Sequence, residues 1–280
     1  MPAAPGSHRC QKTAGAAAKG MTFAEAELGS SSTRAWPRPI IGALALHYAS
    51  SQPTIYRAKM LVQIYAISSP DEARALGEIG VDHIGVLIGD GSFPRERSVD
   101  QARLIFSAIP PSSKGLPLLL SADVQVIEHT ISELKPAIVH LGASTDLLTA
   151  SAVQQLKKRH STLMVMRSIP VVGDESIAIA ESYDGIADML LLDSHRPGDV
   201  QIGALGVTHS WEIDMKIVDS VSIPVIIAGG LGPDNVVEAI RMVRPAGVDS
   251  KTKTDKDDGS HTKDLRKVKQ FVARAKSAVG

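Results

Sequence analysis

Cysteine is almost absent from this sequence. Cys10 is the one cysteine among 280 residues, and it lies close to the start of the chain. A lone thiol allows neither an internal disulfide nor a thiolate zinc cluster, and it leaves the body of the chain without a cysteine nucleophile. His140 and His195 lie near predicted strand ends, but two histidines without a clear carboxylate partner are a weak sign of a metal site. We therefore expect no metal and no organic cofactor.

Aromatic residues, net charge and long apolar runs are also scarce. Aromatic residues make up 4% of the chain, which argues against a base-stacking surface for single-stranded nucleic acid. Thirty basic and thirty acidic residues give a formal net charge of zero, so bulk electrostatics favours neither nucleic acid nor an anionic membrane. No uncharged apolar run approaches the roughly 20 residues of a membrane span. The sequence therefore predicts no nucleic-acid partner and no membrane partner, and it leaves the oligomeric state open.

Residues 1–59 differ in composition from the rest of the chain. They are rich in Ala, Ser, Gly and Pro, and their basic residues outnumber Glu25 and Glu27, the only acids present. This bias is compatible with an organelle transit peptide. We favour an N-terminal extension without a folded role, because Met60 directly precedes the first clear strand. We expect residues 60–280 to form one domain of a cytoplasmic protein, with organelle targeting by residues 1–59 as the alternative.

From Met60 onwards, apolar runs alternate with helical patterns. Eight runs are predicted as buried strands, at 61–65, 83–88, 116–120, 137–141, 162–166, 187–192, 223–228 and 246–249. Helices are predicted at 70–80, from Ser98 to before Pro110, at 124–134, 147–158, 175–182 and 263–278, and from Pro233. Alternation of this kind implies parallel strands joined by right-handed crossovers. Eight strands in about 220 residues favour a closed (β/α)8 TIM barrel over an open doubly wound sheet.

A glycine pair follows the seventh predicted strand. Gly229 and Gly230 permit backbone conformations that other residues avoid and allow a ligand to approach the main chain. In barrels, the loops after strands seven and eight often bind phosphate. The pair therefore indicates a phosphate-binding loop, although a simple tight turn is the alternative. After strand eight, Lys251 and Lys253 could meet a phosphate as point charges, but they also open a charged run that is typical of a solvated loop.

Chemistry in a barrel takes place at the carboxyl ends of its strands. Asp193 directly follows the sixth apolar run, where burial against apolar side chains would raise its pKa and suit it to act as a general acid. A loop-stabilising Asp is the alternative. Arg95, in the loop after strand two, could pair with a substrate carboxylate through its forked guanidinium group. His140 and His195 could act as acid–base groups.

These residues together resemble a known family. Residues 224–236 read PVIIAGGLGPDNV, which is similar to the P-[VF]-x-L-A-G-G-L-x-P-x-N-V motif of phosphoribosylanthranilate isomerases. The resemblance extends from about Leu61 to the end of the chain and is most specific in the last third. The motif is supported by similarities at Pro94-Arg95, Leu191-Leu192-Asp193, Gly206, Ser210-Trp211, Gly247-Val248-Asp249, Gly259 and Lys263-Asp264.

The resemblance implies a (β/α)8 isomerase of tryptophan biosynthesis that performs an Amadori rearrangement of a phosphoribosyl-amine. In that family, a Cys at the end of strand one is the general base and an Asp after strand six is the general acid. The acid corresponds to Asp193, and the position of the base corresponds to Tyr65. The family's arginine for the anthranilate carboxylate corresponds to Arg95. Its phosphate site corresponds to Gly229, Gly230, Ser250, Lys251 and Thr252.

The sequence departs from the family pattern at three strand ends. The family's K-I-C-G reads Gln63-Ile64-Tyr65-Ala66, which places a phenol with an ordinary pKa of about 10 at the position of the base. The family's Q-L-H-G reads His140-Leu141-Gly142-Ala143, and its S-S-G reads Lys251-Thr252-Lys253. A general base contributes about 10²–10⁴-fold in rate. An active enzyme therefore requires either an ionised Tyr65 or a substitute base such as His140 or His195.

Two functions remain open from the sequence. The first is an isomerase of this family or a relative acting on another phosphorylated sugar, supported by Asp193, Arg95 and the glycine pair. The second is a barrel that has lost or changed its chemistry and binds a phosphorylated metabolite or a protein partner, supported by Tyr65. The first predicts a phosphorylated, sugar-type small molecule as the ligand, and the second predicts either such a metabolite or a protein.

Overall fold

The structure, a computed structural model, describes residues 59–93, 95–195, 202 and 209–279. The predictions for residues 1–58 lie outside these ranges. Within the described part of the chain, none of the helices has both the length and the apolarity needed to cross a membrane.

Strands and helices alternate along the described chain. The strands are β1 (Leu61–Ile64), β2 (His83–Ile88), β3 (Lys114–Leu119), β4 (Ile138–Leu141), β5 (Met164–Val171), β6 (Met189–Ser194), β7 (Val225–Ile227) and β8 (Gly247–Ser250). The α-helices are α1 (Pro70–Ile79), α2 (Val99–Ser107), α3 (Val124–Leu134), α4 (Ala150–Arg159), α5 (Glu175–Glu181), α6 (Trp211–Ser220), α7 (Val236–Val243) and α8 (Leu265–Ser277). A 3₁₀ turn over Thr252–Thr254 follows β8.

The eight strands close into one barrel. They pair in parallel in the order of the sequence, and β1 pairs with β8 over Leu61–Ile64 and Gly247–Ser250 to complete the ring. The predicted closed (β/α)8 barrel is therefore confirmed, and the open doubly wound sheet is excluded.

Local sequence signals determine where the helices begin. Ser69 accepts a hydrogen bond from the amide of Glu72, and Pro70 takes the first position of α1, where no amide donor is required. Ser98 and Gln101 form a reciprocal capping box at the start of α2. The predicted starts of α1 and α2 are confirmed, as are the predicted bounds of β2 and α3.

Two apolar layers hold the barrel together. Residues such as Val62, Leu190 and Val248 pack outward from the strands against the helices in the larger core. A smaller cluster, which includes Tyr65 and Leu191, fills the barrel interior. The two layers arise because successive side chains of a strand point to opposite faces of the sheet.

Helix α6 was not predicted from the sequence. Its buried face carries Asp214, whose carboxylate lies 2.9 Å from His209 Nε2. A buried charged residue interrupts the apolar stripe by which an amphipathic helix is recognised. Strand β5 also continues past its predicted end at Met166 to Val171, with Pro170 inside it. Trp211 packs partly buried against the core, consistent with a packing residue.

The start of α7 differs from the prediction as well. The helix begins at Val236, and Pro233 lies in the turn that precedes it. The Asn235 side chain decides this arrangement, because its Oδ1 accepts from Gly232 N at 2.8 Å and its Nδ2 donates to Gly230 O at 3.2 Å. These bonds fold residues 230–235 back on themselves before the helix can start.

Candidate active site

A polar cavity lies at the carboxyl end of the barrel. The alternation of side chains along the strands brings Tyr65, His140, Ser168, Asp193 and Asp249 to the interior there, each from a different strand or its end. The cavity measures about 70 Å³. Its wall also contains Leu87, Leu118, Leu120, Leu191, Ile202, Gly229, Gly230, Leu231, Ser250, Lys251 and Thr252.

Tyr65 belongs to a buried chain of hydrogen bonds. Its hydroxyl lies 2.6 Å from Nδ1 of His140, and Nε2 of His140 lies 2.7 Å from Oγ of Ser168. Burial, with the charge of Asp249 as a second cause, raises the pKa of Tyr65 well above its ordinary value. Burial, followed by the charge of Arg167, lowers the pKa of His140 to about 3. Tyr65 therefore keeps its proton at neutral pH, and His140 is uncharged.

These protonation states leave two directions for the chain, because a neutral phenol, a neutral imidazole and a hydroxyl can each donate and accept. Either Tyr65 donates to Nδ1 of His140 and Nε2 donates to Oγ of Ser168, or Ser168 donates to Nε2 and Nδ1 donates to Tyr65. In both cases the two ring nitrogens of His140 are engaged, and Ser168 lines the cavity.

Gly85 provides the space that the Tyr65 ring occupies. A Cβ atom added at Gly85 would lie 2.0 Å from Cε1 of Tyr65. Gly85 is the third residue of the apolar strand β2, where a glycine marks a close approach of another group. That signal was available in the sequence, but nothing in the sequence identifies the group that approaches.

Asp193 and Asp249 are the two carboxyl groups of the cavity wall. Asp193 is half-buried and its Oδ1 accepts from the amide of Ser194 at 2.8 Å. Asp249 is buried, and its Oδ1 has no hydrogen-bond partner within the described residues. Burial and then the charge of Asp193 raise the pKa of Asp249 to about 8, against the opposing effects of Gln63, Lys263 and Lys251.

The glycine loop after β7 has the conformation that its sequence predicts. Gly229 and Gly230 adopt φ angles of 73° and 64°, which lie in the left-handed region. Within the described residues, the amides of Gly229, Gly230 and Leu231 donate no hydrogen bond to the protein. Unpaired backbone donors beside a cavity are the feature from which proteins build anion-binding concavities.

The segment after β8 completes this side of the cavity. The Ser250 hydroxyl donates to Leu231 O at 2.7 Å and so joins β8 to the glycine loop. Thr252, whose side chain is exposed, begins the 3₁₀ turn, and Lys251 lies half-buried in the wall. Burial, followed by the charges of Arg95 and Lys263, lowers the pKa of Lys251, so three cations are close together here.

Arg95 lies outside the cavity lining. Its Nη1 donates to Asp255 Oδ2 at 3.1 Å, and Lys263 Nζ lies 2.6 Å from Asp255 Oδ1. Lys263 Nζ also donates to Lys251 O at 2.8 Å, which links the ion pair to the cavity wall. Asp255 therefore holds Arg95 and Lys263 together beside Lys251, in a segment, residues 251–264, that carries four lysines and four aspartates.

The cavity gathers most of the residues that the sequence singled out as candidates. It unites Tyr65 and Asp193 with the proposed phosphate residues and His140, whereas Arg95 and His195 are not in its wall. Sequence reasoning did not single out Ser168 or Asp249 as site residues. Across the described ranges, His, Cys, Asp and Glu side chains form no cluster of three or more that could hold a metal ion.

Fold and site together define a (β/α)8-barrel protein with its polar site at the carboxyl ends of the strands, which is where barrel enzymes perform their chemistry. The family model described as "N-(5'phosphoribosyl)anthranilate (PRA) isomerase" matches residues 70–274. The chain belongs to this family.

Individual relatives agree with this assignment. The chain is 32% identical over 215 residues to N-(5'-phosphoribosyl)anthranilate isomerase of Methanocella arvoryzae, covering 77% of this chain and 97% of the relative. It is 31% identical over 220 residues to the protein of the same name from Haloferax volcanii, covering 78% and 94%.

Solved structures show the same fold. The N-(5'-phosphoribosyl)anthranilate isomerase of Pyrococcus furiosus aligns with a TM-score of 0.63 at 25% identity, over 78% of this chain and 99% of that chain. The phosphoribosyl anthranilate isomerase of Thermotoga maritima aligns with a TM-score of 0.64 at 24% identity, with the same coverage.

Proposed function

We propose that this protein isomerises N-(5'-phosphoribosyl)anthranilate by an Amadori rearrangement, a step of tryptophan biosynthesis. The proposal rests mainly on one cavity that combines a loop of unpaired amides with two carboxyl groups. Such a cavity can hold a sugar phosphate by its phosphate and transfer protons at the sugar. Membership of the family supplies the particular substrate.

The phosphate is proposed to bind between the loops after β7 and β8. The unpaired amides of Gly229 and Gly230 supply hydrogen bonds, and Lys251 supplies positive charge. Thr252 starts a 3₁₀ turn whose first amides have no partner inside the turn. Ser250 is proposed to hold the glycine loop in place and not to bind the phosphate through its hydroxyl, because that hydroxyl already donates to Leu231 O.

Asp193 is proposed as the general acid that protonates the ring oxygen of the sugar. The amide of Ser194 donates to Asp193 Oδ1, so the anion that remains after proton transfer is stabilised in place. Arg95 is proposed as the ligand of the anthranilate carboxylate. Asp255 accepts from Nη1 only, which leaves other guanidinium donors for a substrate.

The direct test is turnover of phosphoribosylanthranilate by the full chain, followed as the loss of its fluorescence. We expect turnover, and we expect inorganic phosphate to raise the thermal unfolding midpoint by binding at the glycine loop. No turnover with clear stabilisation by phosphate would refute the isomerase and support a barrel that only binds a phosphorylated metabolite.

Asp193→Asn tests the proposed acid, because an amide cannot donate an acid proton. We expect kcat to fall by about 10²–10⁴-fold. Asp219→Asn makes the same chemical change on the exposed surface of α6 and should leave kcat unaltered. A fully active Asp193→Asn protein would remove Asp193 from the mechanism.

A further inference from the structure

We propose that Asp249 is the general base of the isomerisation and works with Asp193 across the shared cavity. This inference rests on the proposed function. It replaces the assignment of Tyr65 as the base, which the family resemblance implies, with a residue on the neighbouring strand.

The barrel places Asp249 on the side of the cavity where the family resemblance expects the base. Asp249 pairs in register with Gln63 of β1, two residues before Tyr65, and the amide of Tyr65 donates to Ser250 O at 3.2 Å. The side chains of residues in register on adjacent parallel strands point to the same face of the sheet. Asp249 therefore faces the interior beside the end of β1.

Asp249 also has an oxygen available for a substrate proton. Its Oδ1 is buried and has no hydrogen-bond partner in the part of the chain that the structure describes. An unsatisfied buried oxygen costs stability and calls for an explanation. A polar partner supplied by the substrate provides one, because Asp249 lies in the wall of the cavity.

The other titratable groups on this side are poor bases at neutral pH. Burial keeps the proton on the Tyr65 hydroxyl, which points at Nδ1 of His140. His140 is uncharged, and with its pKa lowered to about 3 it holds an extra proton only weakly. Both of its ring nitrogens are already engaged, by Tyr65 and Ser168.

The groups around Asp249 suit it to accept a proton from carbon. Asp193 from β6, Tyr65 from the end of β1, and Lys251 and Lys263 from the segment before α8 all act on it electrostatically. Burial and Asp193 dominate and raise its pKa to about 8. A base whose pKa lies near the working pH combines adequate ionisation with basic strength. At neutral pH a pKa of about 8 leaves Asp249 mostly protonated, so the proposal requires the one proton of the pair to lie on Asp193 when the substrate reacts.

The reaction balances with that one proton. Asp193 gives a proton to the ring oxygen while the C1′–O4′ bond breaks and the nitrogen lone pair forms a C1′=N bond. Ionised Asp249 removes the proton from C2′, the C2′–H electron pair becomes a C1′=C2′ bond, and the C=N electrons return to nitrogen. The enol hydroxyl then returns a proton to Asp193 as the C2′ carbonyl forms, and C1′ receives the proton held by Asp249.

The pH profile of kcat/KM distinguishes the candidate bases. The active form carries one proton on the carboxyl pair, so we expect kcat/KM to fall as the pH rises through about 8, where that proton is lost. If Tyr65 were the base, its growing ionisation would offset the loss of that proton, and kcat/KM would not fall above pH 8. A profile that does not fall above pH 8 would therefore overturn the proposal.

Asp249→Asn tests the residue itself. We expect kcat to fall by about 10²–10⁴-fold while phosphate still raises the unfolding midpoint, with Asp219→Asn as the matched control. We expect Tyr65→Phe to lower kcat by less than about 10-fold, because it removes only a neighbouring hydroxyl. Turnover in Asp249→Asn at the wild-type rate would disprove the base and leave the isomerase intact. Wild-type protein without turnover would instead refute the proposed function.

Stability provides a readout that does not need turnover. A carboxyl group whose pKa is raised by folding makes the folded state less stable as the pH rises from its unfolded value of about 4 to about 8. We expect Asp249→Asn to remove that part of the pH dependence of the free energy of unfolding. Asp249→Glu, which keeps the carboxyl group, should retain it and recover some turnover. An unaltered pH dependence in Asp249→Asn would contradict the raised pKa of Asp249.

Discussion

At the scale of single residues, Tyr65 and Gly85 form a complementary pair across β1 and β2. The phenol ring fills the space above Gly85, and its hydroxyl reaches Nδ1 of His140. A large side chain at the end of β1 is possible only because the neighbouring strand carries no side chain at the matching position. The ring thereby occupies part of the interior that would otherwise be open to a ligand.

Gly85→Ala should therefore lower the free energy of unfolding of this protein. The new methyl group would lie within 2.0 Å of Cε1 of Tyr65, so the ring or the strand must move. Overpacking of this kind destabilises a core by about 1–3 kcal/mol. Urea unfolding of the wild type and the variant measures the change in the free energy of unfolding.

The same substitution in a Tyr65→Cys background is the control for this prediction. Cysteine lacks the ring, so Gly85→Ala should cost much less there, and the double-mutant cycle should show a coupling of about 0.5–3 kcal/mol. Equal costs in the two backgrounds would show that the ring does not set the requirement for glycine.

Arg167 shows how a residue next to the site acts on it without lining it. Its Nη1 and Nη2 donate to Leu141 O at 2.7 Å and Leu148 O at 3.2 Å, and its guanidinium carbon lies 5.2 Å from the centre of the Tyr183 ring. Arg167 points away from the cavity, into the helix layer. Its charge nevertheless helps to lower the pKa of His140 and so favours the uncharged imidazole.

At the scale of elements, the junction between β7 and α7 shows that the glycine loop depends on residues beyond Gly229 and Gly230. Asn235 bonds to both Gly232 N and Gly230 O, and the helix starts only at Val236. The Asn235 side chain therefore holds the loop in the shape that leaves the amides of Gly229 and Gly230 unpaired. Asn235 therefore links the conformation of the loop to the position at which α7 begins.

Helix α2 allows its capping box to be tested directly. Ser98→Ala removes the Oγ that accepts from Gln101 N at 3.3 Å and leaves an unsatisfied donor in the first turn. We expect a loss of about 1 kcal/mol in the free energy of unfolding, measured by denaturant titration.

Ser107→Ala in the same helix is the matched control. The Ser107 hydroxyl is exposed and donates to Leu104 O in the last turn, where no capping bond depends on it. Its replacement should change the free energy of unfolding by less than about 0.5 kcal/mol. If both variants lost the same amount, the capping box would not be the cause.

At the scale of the whole molecule, the first and last parts of the barrel domain are in direct contact. The β1–β8 pairing closes the sheet, and Glu72 in α1 accepts from the amide of Lys263 at 2.6 Å, close to the start of α8. Lys263 itself lies buried against Asp255, which also binds Arg95. Closure thus joins residues from both ends of the domain in one network beside the cavity.

A chain that begins at Met60 should retain this closed barrel. β1 starts at Leu61, and the only described contact that would be lost is the ion pair of Lys59 with Asp82, in which Lys59 is 71% exposed. Exposed ion pairs contribute about 0–1 kcal/mol. We expect the full chain and the shortened chain to have thermal midpoints within a few degrees of each other and equal turnover.

Loss of folding in the shortened chain would show that residues 1–59 contribute to the domain. Equal behaviour would support the proposal that residues 60–280 form a single barrel domain. Organelle targeting by residues 1–59 remains a separate prediction, which is tested by localising the full and shortened chains in cells.

The sequence by itself determined the elements that depend on local physics. Apolar runs bounded by turns gave the number of strands, Ser69 and Ser98 marked helix starts, and Gly229-Gly230 indicated its left-handed turn. Asp193 was identifiable because it directly follows an apolar run, and it lies in the last two residues of β6. Local patterns did not predict α6, because the buried Asp214 interrupts its apolar stripe.

Only the tertiary structure decided which side chains meet. The chain of Tyr65, His140 and Ser168 joins side chains from β4, β5 and the end of β1, and Asp249 acts on Asp193 from a strand more than fifty residues further on. Closure of the barrel sets these distances, and burial in its interior sets the pKa values that follow from them. Sequence spacing contains neither quantity, because both depend on atoms that are remote along the chain and adjacent only in the fold.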